Sequence, residues 1–268
     1  MLAALSPARR RLVVVVLALA LALAVVAVTT VVLSHRSGEA AEPAAQDEPG
    51  PVLLVPGYGG GTGSLQTLAD RLTAAGRTVT VVGLPGNGTG DLTASAKALD
   101  RAVTAALTRS GADTVDVVGY SAGGLVARLW VADGGAGRVR RVVTLGSPHH
   151  GTRLADLAGD VAADQCPVGC RQMTTDSELL TRLNAGDETP VGPTWVSIWT
   201  TRDQTVTPPD SARLDGALNL TVQSVCPDAR VDHGHLPHDP LVQEMVVTEL
   251  AAGNPVQLGP SDCPRLGG

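Results

Sequence analysis

The chain has 268 residues, a formal net charge of −6 and a sequence pI near 5.4. It has no Lys- or Arg-rich stretch beyond Arg9–Arg11, which argues against a nucleic-acid-binding protein. Phe is absent and aromatic residues make up only 2% of the chain. We therefore expect a core of Val, Leu and Ala, in which Trp130, Trp195 and Trp199 are the few large side chains.

The N-terminal 33 residues have the pattern of an export signal. Arg9–Arg11 precede an apolar run from Leu12 to Leu33, and arginines before such a run are typical of a secretory signal. The run has 22 residues, which is longer than a usual signal-peptide core and long enough to span a bilayer. Its best cleavage candidate, the later EAAEPAA, is weak, so residues 1–33 are either a cleaved signal peptide or a signal-anchor helix. Both alternatives place the rest of the chain outside the cytoplasm, secreted or anchored to the outer face of the cell membrane.

Residues 34–50 are polar, rich in Ala, Pro and Glu, and lack apolar periodicity, which is typical of a flexible linker. The remaining segment, residues 51–268, has a suitable size for one catalytic domain.

Within this domain, short Val- and Leu-rich runs alternate with amphipathic segments. The predicted strands cover residues 52–55, 78–84, 114–120, 138–148, 194–200 and 217–225, and the predicted helices cover residues 64–76, 94–111, 122–132, 176–186 and 239–253. This alternation predicts an α/β fold with a mostly parallel central sheet and helices on both faces. Ligands bind at the carboxyl ends of the strands in such sheets, and three unusual loops follow predicted strands there: GYGGGTG, GYSAGG and GSPHHGT.

Four cysteines allow three pairings into two disulfides, which an exported chain favours. Cys166 and Cys170 flank a short PVG turn and can close a small loop. That pairing leaves Cys226 to bond Cys263, which would fix the C-terminal tail to the domain. A zinc site is the less favoured alternative, because the spacing is not C-x-x-C and the nearest histidines are needed elsewhere.

The third predicted strand ends in Gly119-Tyr120-Ser121-Ala122-Gly123, a G-x-S-x-G motif between a buried strand and a helix. This context predicts a nucleophile elbow, in which small residues let the strand and the helix approach each other and the serine hydroxyl is exposed. The N–H of Ala122 would then point from a helix N-terminus at the reacting oxygen. A Gly-rich turn with an incidental serine is the alternative.

A serine nucleophile needs a base and an orienting acid, and in this architecture they follow the serine in the order Asp or Glu, then His. Asp203 follows the fifth predicted strand and is the favoured acid, with Asp215 as the runner-up. For the base we favour His235, which a glycine precedes shortly before the final helix. Two other histidines of this loop remain open: His233 is the closest competitor, and His238 is expected to cap the helix or to be exposed.

The loop after the first strand, PGYGGGTG, is expected to supply a second oxyanion donor. Gly57 and Gly59 free its backbone, and the N–H of Tyr58 is the natural donor. A phosphate-binding loop is disfavoured, because the segment has neither G-K-[ST] nor a complete G-x-G-x-x-G before a helix.

Five stretches together resemble the small bacterial lipases and esterases of the α/β-hydrolase fold, of the lipase class 2 type: VLLVPGYGG, VDVVGYSAGG, VVTLGSPHHGT, RLDGALN and HGHLPHDP. They occur in the family's order across residues 52–250. The resemblance implies Ser121 as nucleophile, Asp203 as acid and His235 as base, with Tyr58 and Ala122 as backbone oxyanion donors. It also implies an α/β-hydrolase fold with minimal or no lid, and no metal or other cofactor. Here Pro56 stands where the family more often has His.

The expected activity is hydrolysis of carboxylic esters, lipid or small, by a monomeric serine hydrolase through an acyl-enzyme. Triacylglycerol lipase and carboxylesterase are both open. The alternatives are an acyltransferase that uses the same triad and an inactive surface protein of the same fold. Contact with a membrane is expected only through the N-terminal segment, if that segment is uncleaved.

Overall fold

The computed structural model describes residues 21–22 and 43–267. The chain divides into two units, residues 1–41 and 42–268. The predicted signal segment, residues 1–33, lies outside the described residues except for Leu21 and Ala22. Within the described ranges, every helix is too short or too polar to cross a bilayer.

The centre of the second unit is a sheet of six parallel strands in the order β2-β1-β3-β4-β5-β6. The strands are β1 (Val52–Val55), β2 (Val79–Val81), β3 (Val115–Tyr120), β4 (Val139–Leu145), β5 (Thr194–Trp199) and β6 (Leu218–Thr221). The chain moves from β1 outward to β2, then returns to the other side of β1 and continues in the opposite direction. The strand order thus reverses between β1 and β3, and a crevice opens at the carboxyl ends of such a pair.

Within residues 43–267 eight α-helices lie between or after these strands, the last two after β6: α1 (Gln66–Ala74), α2 (Leu92–Ser110), α3 (Ala122–Trp130), α4 (Arg153–Val161), α5 (Val168–Arg171), α6 (Glu178–Leu183), α7 (Val222–Val225) and α8 (Pro240–Glu249). Local signals fix the ends of the longest helix, α2. The side chain of Asp91 accepts a hydrogen bond from the N–H of Thr93 at its start, and Gly111 ends it in the left-handed conformation. The expected α/β fold is confirmed.

Helices cover both faces of the sheet. On one face, α1 and α8 bury Leu68, Leu72 and Met245 against the strands, and on the other face α2 and α3 bury Leu99 and Leu125. The side chains are aliphatic for the most part, as the absence of Phe predicts. The three tryptophans expected in the core, Trp130, Trp195 and Trp199, are each less than 10% exposed.

Several elements differ from the sequence prediction, and one of them is the short helix α5, which was not predicted. The sixth strand ends at Thr221, because the hydroxyl of Thr221 caps the N–H of Ser224 and starts the short helix α7 where a strand was expected. Helix α4 was not predicted. It begins after Thr152, whose hydroxyl accepts from the N–H of Leu154, and its apolar residues Leu154, Leu157 and Val161 face outward instead of into a core.

The C-terminal part of the predicted linker, residues 34–50, is bonded to the folded domain. Gln46 accepts hydrogen bonds through its backbone oxygen from Arg140 and Gly253, at 2.9 and 3.1 Å. Arg140 is fully buried and forms a bidentate ion pair with Asp116 of β3, which also binds Arg77. The amino-terminal edge of the sheet therefore fixes the chain several residues before position 51.

Both favoured disulfides are present. Cys166 bonds Cys170 across four positions, and Cys226 bonds Cys263 across 37. Among the residues that the structure describes, no cluster of His, Cys, Asp and Glu could hold a metal ion.

Candidate active site

The G-x-S-x-G segment forms the turn from β3 to α3 at the crevice beside β1. Ser121 has a φ of 53° and a ψ of −125°, a conformation that costs a non-glycine residue about 1–3 kcal/mol and is concentrated at functional sites. The two glycines make the turn possible. A Cβ on Gly119 would lie 2.6 Å from the backbone of Gly123, and one on Gly123 would lie 2.2 Å from the carbonyl oxygen of Val55. The turn therefore presents the Ser121 hydroxyl to the crevice.

Asp203 lies in the loop after β5 and is only 5% exposed. Its Oδ1 accepts hydrogen bonds from the backbone N–H groups of Thr205 and Val206, both at 2.8 Å. These bonds fix the carboxylate and direct its other oxygen, Oδ2, toward the loop that follows α7. The runner-up acid, Asp215, is exposed and pairs with Arg213 instead.

His233 connects the other two residues. Its Nδ1 lies 2.7 Å from Oδ2 of Asp203, and its Nε2 lies 3.1 Å from Oγ of Ser121. His233 is nearly buried, with 8% of its surface exposed. Since the carboxylate accepts at Nδ1, that nitrogen holds the proton and Nε2 is free to accept from the serine hydroxyl. The arrangement is that of a nucleophile, a base and an orienting acid.

The prediction that His235 lies beside the serine is wrong. Its Nδ1 and its backbone N–H both bond Oδ1 of Asp232, at 2.7 and 3.1 Å, and its side chain is 70% exposed. The turn at residues 232–235 thus pairs His235 locally with an exposed carboxylate. His238 is also exposed and contacts Thr67, 2.7 Å from its hydroxyl.

One signal in the sequence does favour His233. Val231, which is 3% exposed, anchors the loop in the core, and His233 follows it by two positions. In an extended segment, residues two apart point to the same side. The alternation therefore directs His233 inward with Val231 and leaves Asp232 in solvent.

The loop after β1 lies against the elbow. A Cβ on Gly57 would come within 3.0 Å of the Cβ of Ser121. Gly57 accepts from Gly60 in a tight turn, and Gly59 adopts a φ of +71°. Within the described part of the chain, the N–H of Tyr58 makes no hydrogen bond to protein. The N–H of Ala122 has no intrahelical partner, because it is in the first turn of α3. In the described residues, both of these backbone N–H groups are therefore free to donate a hydrogen bond to a ligand.

Gly146 makes room for the His–Asp pair. It adopts a φ of +55°, and a Cβ there would lie 3.2 Å from Nδ1 of His233 and 3.3 Å from Oδ2 of Asp203. Such contacts are tighter than ordinary van der Waals distances. Because Gly146 has no Cβ, the side chains of His233 and Asp203 can lie directly against the carboxyl end of β4.

The two histidines of the GSPHHGT loop have another role. His149 is fully buried, and its Nε2 lies 3.1 Å from the hydroxyl of Thr144. Burial, with the nearby charge of Arg128, lowers its pKa well below the usual value. His150 bonds Glu188 at 2.8 Å. His149 therefore bonds strand β4 and His150 bonds the loop before β5, and neither side chain has a hydrogen bond to Ser121.

A cleft of about 370 Å³ extends from Ser121 and His233. Its wall is mainly apolar and is built from Leu154, Ala155 and Ala158 of α4, Met173, and Val206 of the acid loop. Cys170 also lines it, so the segment between β4 and β5 forms one side of the cleft. An apolar wall beside the Ser121 hydroxyl suits the hydrocarbon part of a ligand.

The chain is similar in sequence and in fold to known lipases. Residues 50–162 match the family model of the alpha/beta hydrolase fold. Lipase B of Pseudozyma antarctica is 30% identical over 208 residues, which cover 73% of this chain and 59% of that protein. The chain thus spans less than two thirds of that relative's length.

Two solved structures resemble the chain in fold. Lipase B of Aspergillus fumigatus superposes with a TM-score of 0.65 at 19% identity, over 79% of this chain and 58% of its own. The mature form of the Bacillus licheniformis lipase BlEst2 superposes with a TM-score of 0.58 at 18% identity, over 73% of this chain and 91% of its own.

Proposed function

We propose that the chain, which has the α/β-hydrolase fold and is similar to lipases, is a serine hydrolase that cleaves carboxylic esters through an acyl-enzyme. The observation that supports this most directly is the position of His233, whose two ring nitrogens bond Ser121 and Asp203. The catalytic residues of the proposal are Ser121, His233 and Asp203, so the base differs from the one that the sequence favoured.

In the first half of the reaction, Oγ of Ser121 attacks the ester carbonyl while Nε2 of His233 takes the hydroxyl proton. The N–H groups of Tyr58 and Ala122 stabilise the negative oxygen that forms, and Asp203 stabilises the imidazolium. The tetrahedral intermediate then breaks its bond to the alcohol oxygen, which receives the proton from Nε2. An acyl group remains on Ser121.

In the second half, His233 takes a proton from water, and the resulting hydroxide attacks the acyl carbonyl. The same two N–H groups hold the oxyanion. Collapse breaks the bond to Oγ of Ser121, the serine regains its proton from Nε2, and the carboxylic acid leaves. Each half returns the charge of the triad to its starting state.

The substrate that the cleft favours is an ester with an apolar acyl group. The wall formed by α4 and Val206 gives such a group an apolar surface to pack against, and burial of each methylene contributes about 0.8 kcal/mol. We therefore propose lipid or small apolar esters as substrates. The two disulfides fit an extracytoplasmic location.

The test is the variant Ser121→Ala. We expect it to lose hydrolysis of p-nitrophenyl butyrate and covalent labelling by a fluorophosphonate, with an unchanged circular dichroism spectrum. Ser110→Ala is the matched control, because Ser110 is exposed at the end of α2; it should keep both activities. Hydrolysis by Ser121→Ala at the rate of the unaltered protein would overturn the proposal.

A further inference from the structure

Tyr120 occupies the variable position of the G-x-S-x-G motif, directly before Ser121, and is the last residue of β3. Its side chain lies between two parts of the candidate active site. On one side its ring is 5.3 Å from the imidazole of His233, centroid to centroid, with the planes tilted by 34°. On the other side is the loop after β1, where a Cβ on Gly57 would be 3.4 Å from Cδ1 of the tyrosine ring.

The hydroxyl of Tyr120 is aimed at the backbone of the same histidine. It donates a hydrogen bond to the carbonyl oxygen of His233 at 3.1 Å. Burial raises the pKa of Tyr120 to about 12, with the charges of Asp203 and Asp232 as further causes. The hydroxyl therefore keeps its proton and remains a donor at every pH at which the protein is expected to work.

These two contacts restrain different degrees of freedom. The hydrogen bond fixes the main chain of His233, and the ring contact limits rotation of its imidazole. Ser121 is covalently next to Tyr120, so one rigid strand end determines the positions of both the nucleophile and the base. The two neighbouring polar side chains of the loop, Asp232 and His235, are exposed and bond each other, so they do not restrain the imidazole.

We propose that Tyr120 is a positioning residue that holds His233 in hydrogen-bonding distance of Ser121. The inference rests on the proposed function, since it names a residue that acts through the proposed base. A purely structural tyrosine would affect unfolding but not the turnover of the folded protein. A positioning residue lowers kcat and changes the imidazole environment while the fold is retained.

The test is Tyr120→Phe, which keeps the ring and removes only the hydroxyl. Loss of one hydrogen bond of ordinary strength corresponds to about a fivefold effect, so we expect kcat for p-nitrophenyl butyrate to fall about fivefold and KM to change less than twofold. A second readout needs no substrate. The downfield proton resonance of Nδ1–H, between His233 and Asp203, should shift upfield or broaden in Tyr120→Phe.

Thr67→Val is the matched control. It removes the hydroxyl that bonds His238, at the far end of the same loop, without touching the proposed catalytic residues. We expect kcat within twofold of the unaltered protein and an unchanged resonance. If Thr67→Val had the same effects as Tyr120→Phe, general loosening of the loop would explain both and the proposal would be overturned.

Failure of the inference is distinguishable from failure of the proposed function. Full kcat and an unmoved resonance in Tyr120→Phe would overturn the positioning role and leave ester hydrolysis intact. If the unaltered protein neither hydrolysed esters nor reacted with a fluorophosphonate, the proposed function would fail, and the resonance would still report whether Tyr120 restrains the imidazole.

Discussion

Nε2 of His233 lies 3.1 Å from Oγ of Ser121, although the two residues are 112 positions apart in the chain. The contact forms because the sheet brings the end of β3 and the loop after α7 to the same edge. The serine is fixed there by a strained turn, and the histidine is fixed by Asp203 and Tyr120. The distance suits direct proton transfer from the hydroxyl to the ring.

Replacement of His233 should therefore remove the base. We expect His233→Ala to lower kcat for p-nitrophenyl butyrate by about 10⁴-fold or more, as loss of a triad member does in known serine hydrolases. His235→Ala is the control in the same loop, because the exposed side chain of His235 bonds only Asp232; it should stay within threefold. Equal losses in the two variants would contradict the assignment.

Two variants, one at Asp203 and one at Asp215, test which carboxylate orients the imidazole. Asp203→Asn should lower kcat by about 10⁴-fold, because an amide at this position favours the wrong tautomer of the imidazole. Asp215→Asn should keep full activity, since the side chain of Asp215 is 76% exposed and pairs with Arg213. Initial rates of ester hydrolysis at saturating substrate measure both. A large loss in Asp215→Asn alone would move the acid to the runner-up position.

The fold and the positions of two residues of the candidate site, Ser121 and Asp203, could be predicted from the sequence. Apolar runs that alternate with amphipathic helices predict a parallel sheet. The glycines on either side of Ser121 are needed, because a Cβ at either position would collide with neighbouring backbone. Asp203 follows β5 closely, so its position is also set by a local element.

The proposed base, His233, does not directly follow a strand, and the spacing from Val231 is the one sequence feature that favours it. His233 and His235 lie in one irregular loop, where the direction of a side chain depends on tertiary contacts. Asp232 captures His235 locally, while Tyr120, which is distant in sequence, holds His233. Helix α4 was missed for a related reason: its apolar residues face the cleft and the solvent instead of a core.

The apolar cleft predicts a dependence on acyl-chain length. Ala158 lines the cleft from α4, and a tryptophan there would fill part of the volume beside Ser121. We expect Ala158→Trp to lower kcat/KM for p-nitrophenyl octanoate by about tenfold relative to acetate, since displacement of a few methylenes has an effect of that size. Leu157→Trp is the control on the same helix, because Leu157 is 58% exposed and does not line the cleft. An unchanged ratio of octanoate to acetate in Ala158→Trp would place the acyl group elsewhere.

The two disulfides should differ in their contribution to stability. Cys226–Cys263 closes a loop of 37 residues and Cys166–Cys170 closes one of four. Two double variants replace one pair of cysteines each by serine. By the loop-entropy relation, loss of the long loop should lower the free energy of unfolding by about 4 kcal/mol, and loss of the short loop by about 2 kcal/mol. Urea unfolding of the two double variants measures the difference. The reverse order of stabilities would show that strain or packing, and not chain entropy, determines the effect.

A buried carboxyl at the end of α8 predicts how stability changes with pH. Glu249 is fully buried, its Oε2 accepts only the N–H of Val256, and burial raises its pKa from 4.5 to about 7. Because the folded state binds this proton more tightly than the unfolded state, the contribution of Glu249 is most favourable below pH 4.5. It is lost as the pH rises to about 7, by as much as about 3 kcal/mol.

Glu249→Gln removes this titration while it keeps the size of the side chain. The variant should match the unaltered protein near pH 4 and exceed it in free energy of unfolding near pH 8, where the unaltered protein holds a buried charge that Arg141 offsets only in part. Urea unfolding from pH 4 to 8 gives the difference between the two proteins at each pH, which cancels the titration of all other groups. A difference that stayed constant across this range would show that Glu249 has an ordinary pKa in the folded protein.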